Sequence, residues 1–213
     1  VELCKKGSAV RVRFAIQRGA DLNARDRNTG AAPLHFAVRE NPDREVAAAL
    51  LSAGADANAR DKDGATPLHY AARENRDREV VAMLLKAGAD ANARNKEGAS
   101  PLHFVAWFNT GPGAAETVAK LVEAGAEVEA RDGKYDWTPL FFAAWGNTNV
   151  DVLAALLKAG AEKNAKGKDG RSPLHCAAMN NSNPEVTAAL LKAGADANAR
   201  NSEGKRPFDY ANK

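Results

Sequence analysis

The chain has 213 residues, 30 basic against 27 acidic, for a formal net charge of +3. The two signs are interspersed along the whole length, which excludes the clustered basic stripe that phosphate neutralisation needs. No apolar run reaches the roughly 18 residues of a membrane span. With 45% hydrophobic but only 6% aromatic residues, alanine supplies much of the apolar content, which suits closely packed helices.

The first segment, about residues 1–24, places Leu3, Val12, Phe14 and Ile16 among Lys5, Lys6, Arg11 and Arg13. That reads as a helical, basic, solvent-facing cap. No secretory signal pattern is present, and the chain starts at Val1 without methionine, so a processed or trimmed form is expected. The compartment stays open, with the cytoplasm favoured over a periplasmic or secreted location.

From there one unit recurs. Pro-Leu appears at Pro33, Pro67, Pro101, Pro139 and Pro173, with a variant Pro207-Phe208, at intervals of 34, 34, 38, 34 and 34 residues. Gly19, Gly54, Gly88, Gly125, Gly160 and Gly194 keep the same phase. Each unit carries its own punctuation. In the second, Thr66 is a helix cap and Pro67 fits the first helical position, where a missing N–H costs nothing. That helix ends near Asn75. A second helix runs from about Arg78 to Ala87, with Val80, Val81, Leu84 and Leu85 as its apolar stripe. Gly88 supplies the positive φ of a helix C-terminus, and Asn95-Lys96-Glu97-Gly98 makes a polar turn before Ser100-Pro101. Units starting near residues 33, 67, 101, 139 and 173 are followed by a partial unit at 205–213, and no linker interrupts the register. Residues 1–213 therefore form one domain.

The stretches Thr66–Ala72 (TPLHYAA) and Leu84–Arg94 (LLKAGADANAR) resemble the ankyrin repeat, and the likeness covers nearly the whole chain. The resemblance implies an all-α repeat solenoid, with stacked antiparallel helix pairs and β-hairpin fingers projecting from one edge. Six pairs and a helical stub from Pro207 are expected. The units exceed the usual length of about 33 residues by one, which resembles bacterial ankyrin proteins.

Enzymatic and cofactor motifs fail on inspection. His35, His69, His103 and His175 share one slot after Pro-Leu, so they are spread along the stack and cannot converge on one metal ion. The resemblance implies that each imidazole hydrogen-bonds around its helix start. Gly111-Pro112-Gly113 lacks the third glycine and the strand of a dinucleotide fingerprint. Asp61-Lys62-Asp63-Gly64 is too short for a calcium loop. Cys4 and Cys176 lie near opposite ends, too far apart for a disulfide, and Cys176 shares an apolar column with Phe36, Tyr70, Phe104 and Phe142. No catalytic residue, cofactor site or metal site is expected.

Where units diverge, function is the candidate reason. Six residues after each proline the column reads Arg39, Arg73, Trp107, Trp145, Met179; the next reads Glu40, Glu74, Phe108, Gly146, Asn180. Two residues before each proline stand Ala31, Ala65, Ala99, Trp137, Arg171 and Lys205. All three tryptophans thus occupy columns that are charged or small elsewhere. Tyr135 joins them in a lengthened finger, and the loop Asn109–Gly113 is three residues longer than its siblings. Finger and first-helix positions form, by the resemblance, the concave groove that contacts partners. The expected site is an exposed cluster of Trp107, Phe108, Tyr135, Trp137, Trp145 and Met179, with Arg73, Lys134, Asp136 and Arg171 as a polar rim. Local packing of the aromatics is the competing reading. The expectation is a monomeric module that binds another protein, as an inhibitor or a bacterial effector, without nucleic acid or membrane. A spacer within a longer protein is the alternative. Nucleic-acid binding through Arg60, Arg94, Lys168 and Arg200 is disfavoured, because Asp61, Glu97, Asp169 and Glu203 sit beside them.

Overall fold

The computed structural model describes residues 1–74 and 78–211, so the expected helix end near Asn75 lies outside the described residues. The cap pair is α1 (Glu2–Lys6) and α2 (Ala9–Gln17). The repeats contribute α3 (Pro33–Glu40) with α4 (Arg44–Ser52), α5 (Pro67–Glu74) with α6 (Arg78–Lys86), and α7 (Pro101–Phe108) with α8 (Ala114–Glu123). Then come α9 (Pro139–Gly146) with α10 (Val150–Lys158) and α11 (Pro173–Asn180) with α12 (Pro184–Lys192), closed by a 3-10 turn at Pro207–Tyr210. First helices pack on first helices and second on second, which makes an inner row (α1, α3, α5, α7, α9, α11) and an outer row (α2, α4, α6, α8, α10, α12). No helix among the described residues is long and apolar enough to cross a membrane.

Local chemistry explains the helix ends. Gly88 has φ 85°, and Gly88 and Ala89 donate backwards to the Leu85 and Leu84 carbonyls at 3.0 Å each. That is the paired closure a glycine in the left-handed region permits. The core is a file of leucines: Leu34, Leu68, Leu102, Leu140 and Leu174 on the inner row face Leu50, Leu84, Leu121, Leu156 and Leu190 on the outer row, all buried. Each contributes about 2 kcal/mol of transfer free energy.

Polar ladders then tie unit to unit. His69 Nδ1 accepts the Thr66 backbone N–H at 3.1 Å, so Nε2 carries the proton and donates to the Ala99 carbonyl of the next finger at 3.1 Å. His35, His103 and His175 repeat the bond to Ala65, Trp137 and Lys205. Both ring nitrogens are therefore occupied in each imidazole. A second ladder uses the asparagine after each first helix. Asn147 Nδ2 donates to the Ala106 and Asn109 carbonyls at 2.9 and 3.0 Å while its Oδ1 accepts the Asn149 N–H at 2.8 Å. Asn109 and Asn181 do the same one unit before and after.

Two details differ from the sequence reading. The fingers are turns, with no strand among the described residues. Each closes with one backbone bond across its neck, such as Asp61 N–H to Ala65 at 3.0 Å, and meets its neighbour through one more, such as Lys96 N–H to Asp63 at 2.9 Å. Necks of five or six residues leave no room for a longer ladder. The expected three-residue loop insertion is shared out: α8 has 10 residues where α6 and α10 have 9. One added residue extends that helix and the rest lengthen the loop.

Candidate partner-binding groove

The groove between the finger row and the inner helices holds a cavity of about 200 Å³. Its floor is Phe104, Trp107, Phe108 and Phe142; Tyr135 and Lys134 wall it from the finger side, and Arg73 and Glu97 stand at its edge. Trp107 is 40% exposed, Phe108 39% and Tyr135 41%, all large apolar rings open to solvent. Trp107 stacks on Phe108 with centroids 4.7 Å apart and lies 4.9 Å from Phe142. The rings are thus held by neighbours, which lowers the ordering cost of a later contact. Two cations rest on these walls. The Arg73 guanidinium lies 4.6 Å from the Phe108 centroid, and the Lys134 ammonium 4.8 Å from that of Tyr135. Contact with Tyr135 raises the pKa of Lys134, keeping it charged.

The structure thus brings together Arg73, Trp107, Phe108, Lys134 and Tyr135 of the expected site. It places the others differently. Trp137, expected on the exposed finger, is only 6% exposed. Its ring stacks on Phe141 at 5.5 Å and touches Trp145 at 5.6 Å, because the space beside it is vacated by Gly167. Trp145 is half-buried against Trp137 and the core. Met179 is half-buried on α11 and does not line the cavity. Asp136 adopts φ 60°, the position held by glycine in sibling fingers, and accepts from Arg131 at 2.7 Å. Arg171 pairs with Asp169 at 3.2 Å and lies 5.7 Å from the Tyr210 ring, away from the cavity.

Phe104, Phe142, Glu97 and Asp132, outside the expected site, also line the cavity. Phe104 and Phe142 stood in a column read as packing. Asp132 is only 6% exposed, and its carboxylate accepts the backbone N–H groups of Lys134 at 3.2 Å and Trp137 at 2.7 Å. It therefore shapes the finger that presents Tyr135. The finger arginines are spent in a similar way. Arg60 donates to the Gly64 carbonyl at 3.1 Å, Arg94 to Gly98 and Arg131 at 2.8 and 2.9 Å, and Arg200 to Gly204 at 2.6 Å. These side chains bind the stack's own backbone.

The remaining buried chemistry is structural. Burial lowers His69 and His103 to about 4, below the usual histidine value. Burial pushes the Cys176 thiol far up, so it stays protonated and unreactive. Cys4 and Cys176 are both free and buried.

A family model described as "Ankyrin repeats (3 copies)" matches residues 40–132, 88–167 and 140–213, an unbroken cover from 40 to 213. No curated protein matches the chain.

Proposed function

The chain belongs to the ankyrin-repeat family, whose repeats serve in general as protein–protein interaction modules, and from that premise we propose that it binds a partner protein through the groove at α7 and the finger at 132–137. The observation that carries this is the coincidence of open aromatic surface with a preformed cavity. Trp107, Phe108 and Tyr135 are each about two-fifths exposed, and all three line the same hollow. Rigid amphipathic rings around a concavity are the usual anchors of a protein interface. The cavity holds about 200 Å³. A single protruding side chain fills it. The open tryptophan, not the buried Trp137, is the residue to alter.

Affinity capture with the wild type and with Trp107→Ala tests the reading. A protein retained by the first and lost from the second, with both folded, supports groove binding. Equal retention by both rejects it.

A further inference from the structure

The finger that closes the cavity breaks a charge pattern. Two residues into the fingers the column carries Asn28 in the first and Asp63, Glu97, Asp169 and Glu203 in four others, but Lys134 in the one that closes the cavity. On the helix side the charged pair Arg73-Glu74 of α5 is replaced in α7 by Trp107-Phe108, which removes a carboxylate from the floor. Of the charged side chains around the hollow, Asp132 is buried and occupied by backbone N–H groups. The open ones are Arg73, Lys134 and Glu97, and with Asp132 the lining carries two charges of each sign. Arg73 has Glu74 at 3.6 Å. Lys134 forms no ion pair among the described residues, and its ammonium stands over the Tyr135 ring at the mouth. A neighbouring hollow of about 440 Å³, lined by Asp63, Tyr70 and Lys96, shares Arg73, Glu97 and Phe104 with the first. The concavity therefore continues along the stack past Arg73, giving a trough suited to a length of chain.

From this we infer that the groove takes an extended acidic segment of the partner, with one large apolar side chain seated between Trp107, Phe108 and Tyr135 and a carboxylate within two residues of it facing Lys134. This deepens the proposed function and rests on it. An extended chain advances about 3.3 Å per residue, so a carboxylate one or two positions from the anchor reaches the mouth of the same hollow. The apolar anchor supplies most of the affinity, and the charge pair sets which neighbours are accepted.

Selection of displayed random linear peptides on the intact chain tests it directly. The expected winners share one aromatic or long aliphatic residue with Asp or Glu at most two positions away. Replacing that acid by its amide weakens a synthetic winner about fivefold, and Trp107→Ala weakens it about thirtyfold. Lys134→Glu, an exposed change that leaves the fold intact, inverts the choice to Lys or Arg. Winners with no acidic preference, the same preference with Lys134→Glu, or no winners at all overturn the inference. If capture of a folded protein still depends on Trp107 in that last case, groove binding stands and only the extended acidic segment falls.

Discussion

The Trp137 indole lies over the backbone of Gly167, so closely that a Cβ on that glycine would sit 2.8 Å from the ring's Cδ1 and Nε1 atoms. Sibling fingers place Asp26, Asp61, Asn95, Asp132 and Asn201 at the position of Gly167, where the side chain caps its own turn, as Asn95 does for the Glu97 and Ala99 N–H groups. This finger gave up that cap to admit the indole. Gly167→Asp should therefore destabilise the chain by about 1–3 kcal/mol through overpacking. Combined with Trp137→Ala, the aspartate should cost less than it does alone, a coupling of about 1 kcal/mol or more. Urea unfolding of the four proteins measures both. Strict additivity would show that the two residues do not compete for space.

The unit that starts at Pro139 has Phe141 in place of the histidine, which strands a hydroxyl. Ser100 and Ser172 hydroxyls lie 2.8 Å from the Nδ1 of His103 and His175, but Phe141 leaves the buried Thr138 Oγ1 without a partner. Thr138→Val should stabilise by about 1 kcal/mol, since it removes an unmet polar group. Thr66→Val, which breaks the 2.9 Å contact with His69, should cost about as much. Denaturant midpoints that move in the same direction for both variants would contradict this.

Neutral histidines make the stack sensitive to acid. His69 and His103 titrate at about 4 when folded against about 6.5 unfolded. The folded state then binds fewer protons, so stability is full above about 6.5 and declines as pH falls toward 4. Each of these two residues accounts for on the order of 3 kcal/mol at the acid end. His35 and His175 shift in the same direction, also through burial. Urea midpoints measured from pH 7 to pH 4 should fall steadily. A flat profile over that window would mean that the imidazoles titrate normally.

The asparagine ladder should be costly to cut. Asn147 is 1% exposed and joins its own unit to the preceding one through its two amide atoms. Asn147→Ala should cost about 2–3 kcal/mol, because the carbonyls and N–H it serves stay buried without partners. Thermal unfolding checks this, and a loss below half a kcal/mol would show the ladder to be incidental.

Much of the architecture could be read from punctuation. Proline at a helix start and glycine past a helix end act within a few residues, so Pro67 and Gly88 mark their elements without knowledge of the fold. Half of the site was visible for a similar reason, since Trp107 and Phe108 break columns that are charged in sibling units. The burial of Trp137 was not visible. It depends on Gly167 in the next finger, and a glycine in a turn gives no hint of what fills the space beside it. Nor could the finger arginines be told from surface charges, because their partners are main-chain carbonyls, as between Arg94 and Arg131. That Lys134 stands at the cavity mouth while Arg73 is paired with Glu74 needed the side-chain positions to be known.

The proposed binding surface is the groove, not the outer face. The most direct measurement compares partner affinity, once a captured partner is in hand, for Trp107→Ala and for Ala119→Arg. Ala119 lies in a shallow hollow between α8 and α10 on the outer row. At least a thirtyfold loss is expected for the groove variant with its fold intact, and wild-type affinity for the outer-face variant. Full affinity with Trp107→Ala and a loss with Ala119→Arg would contradict it.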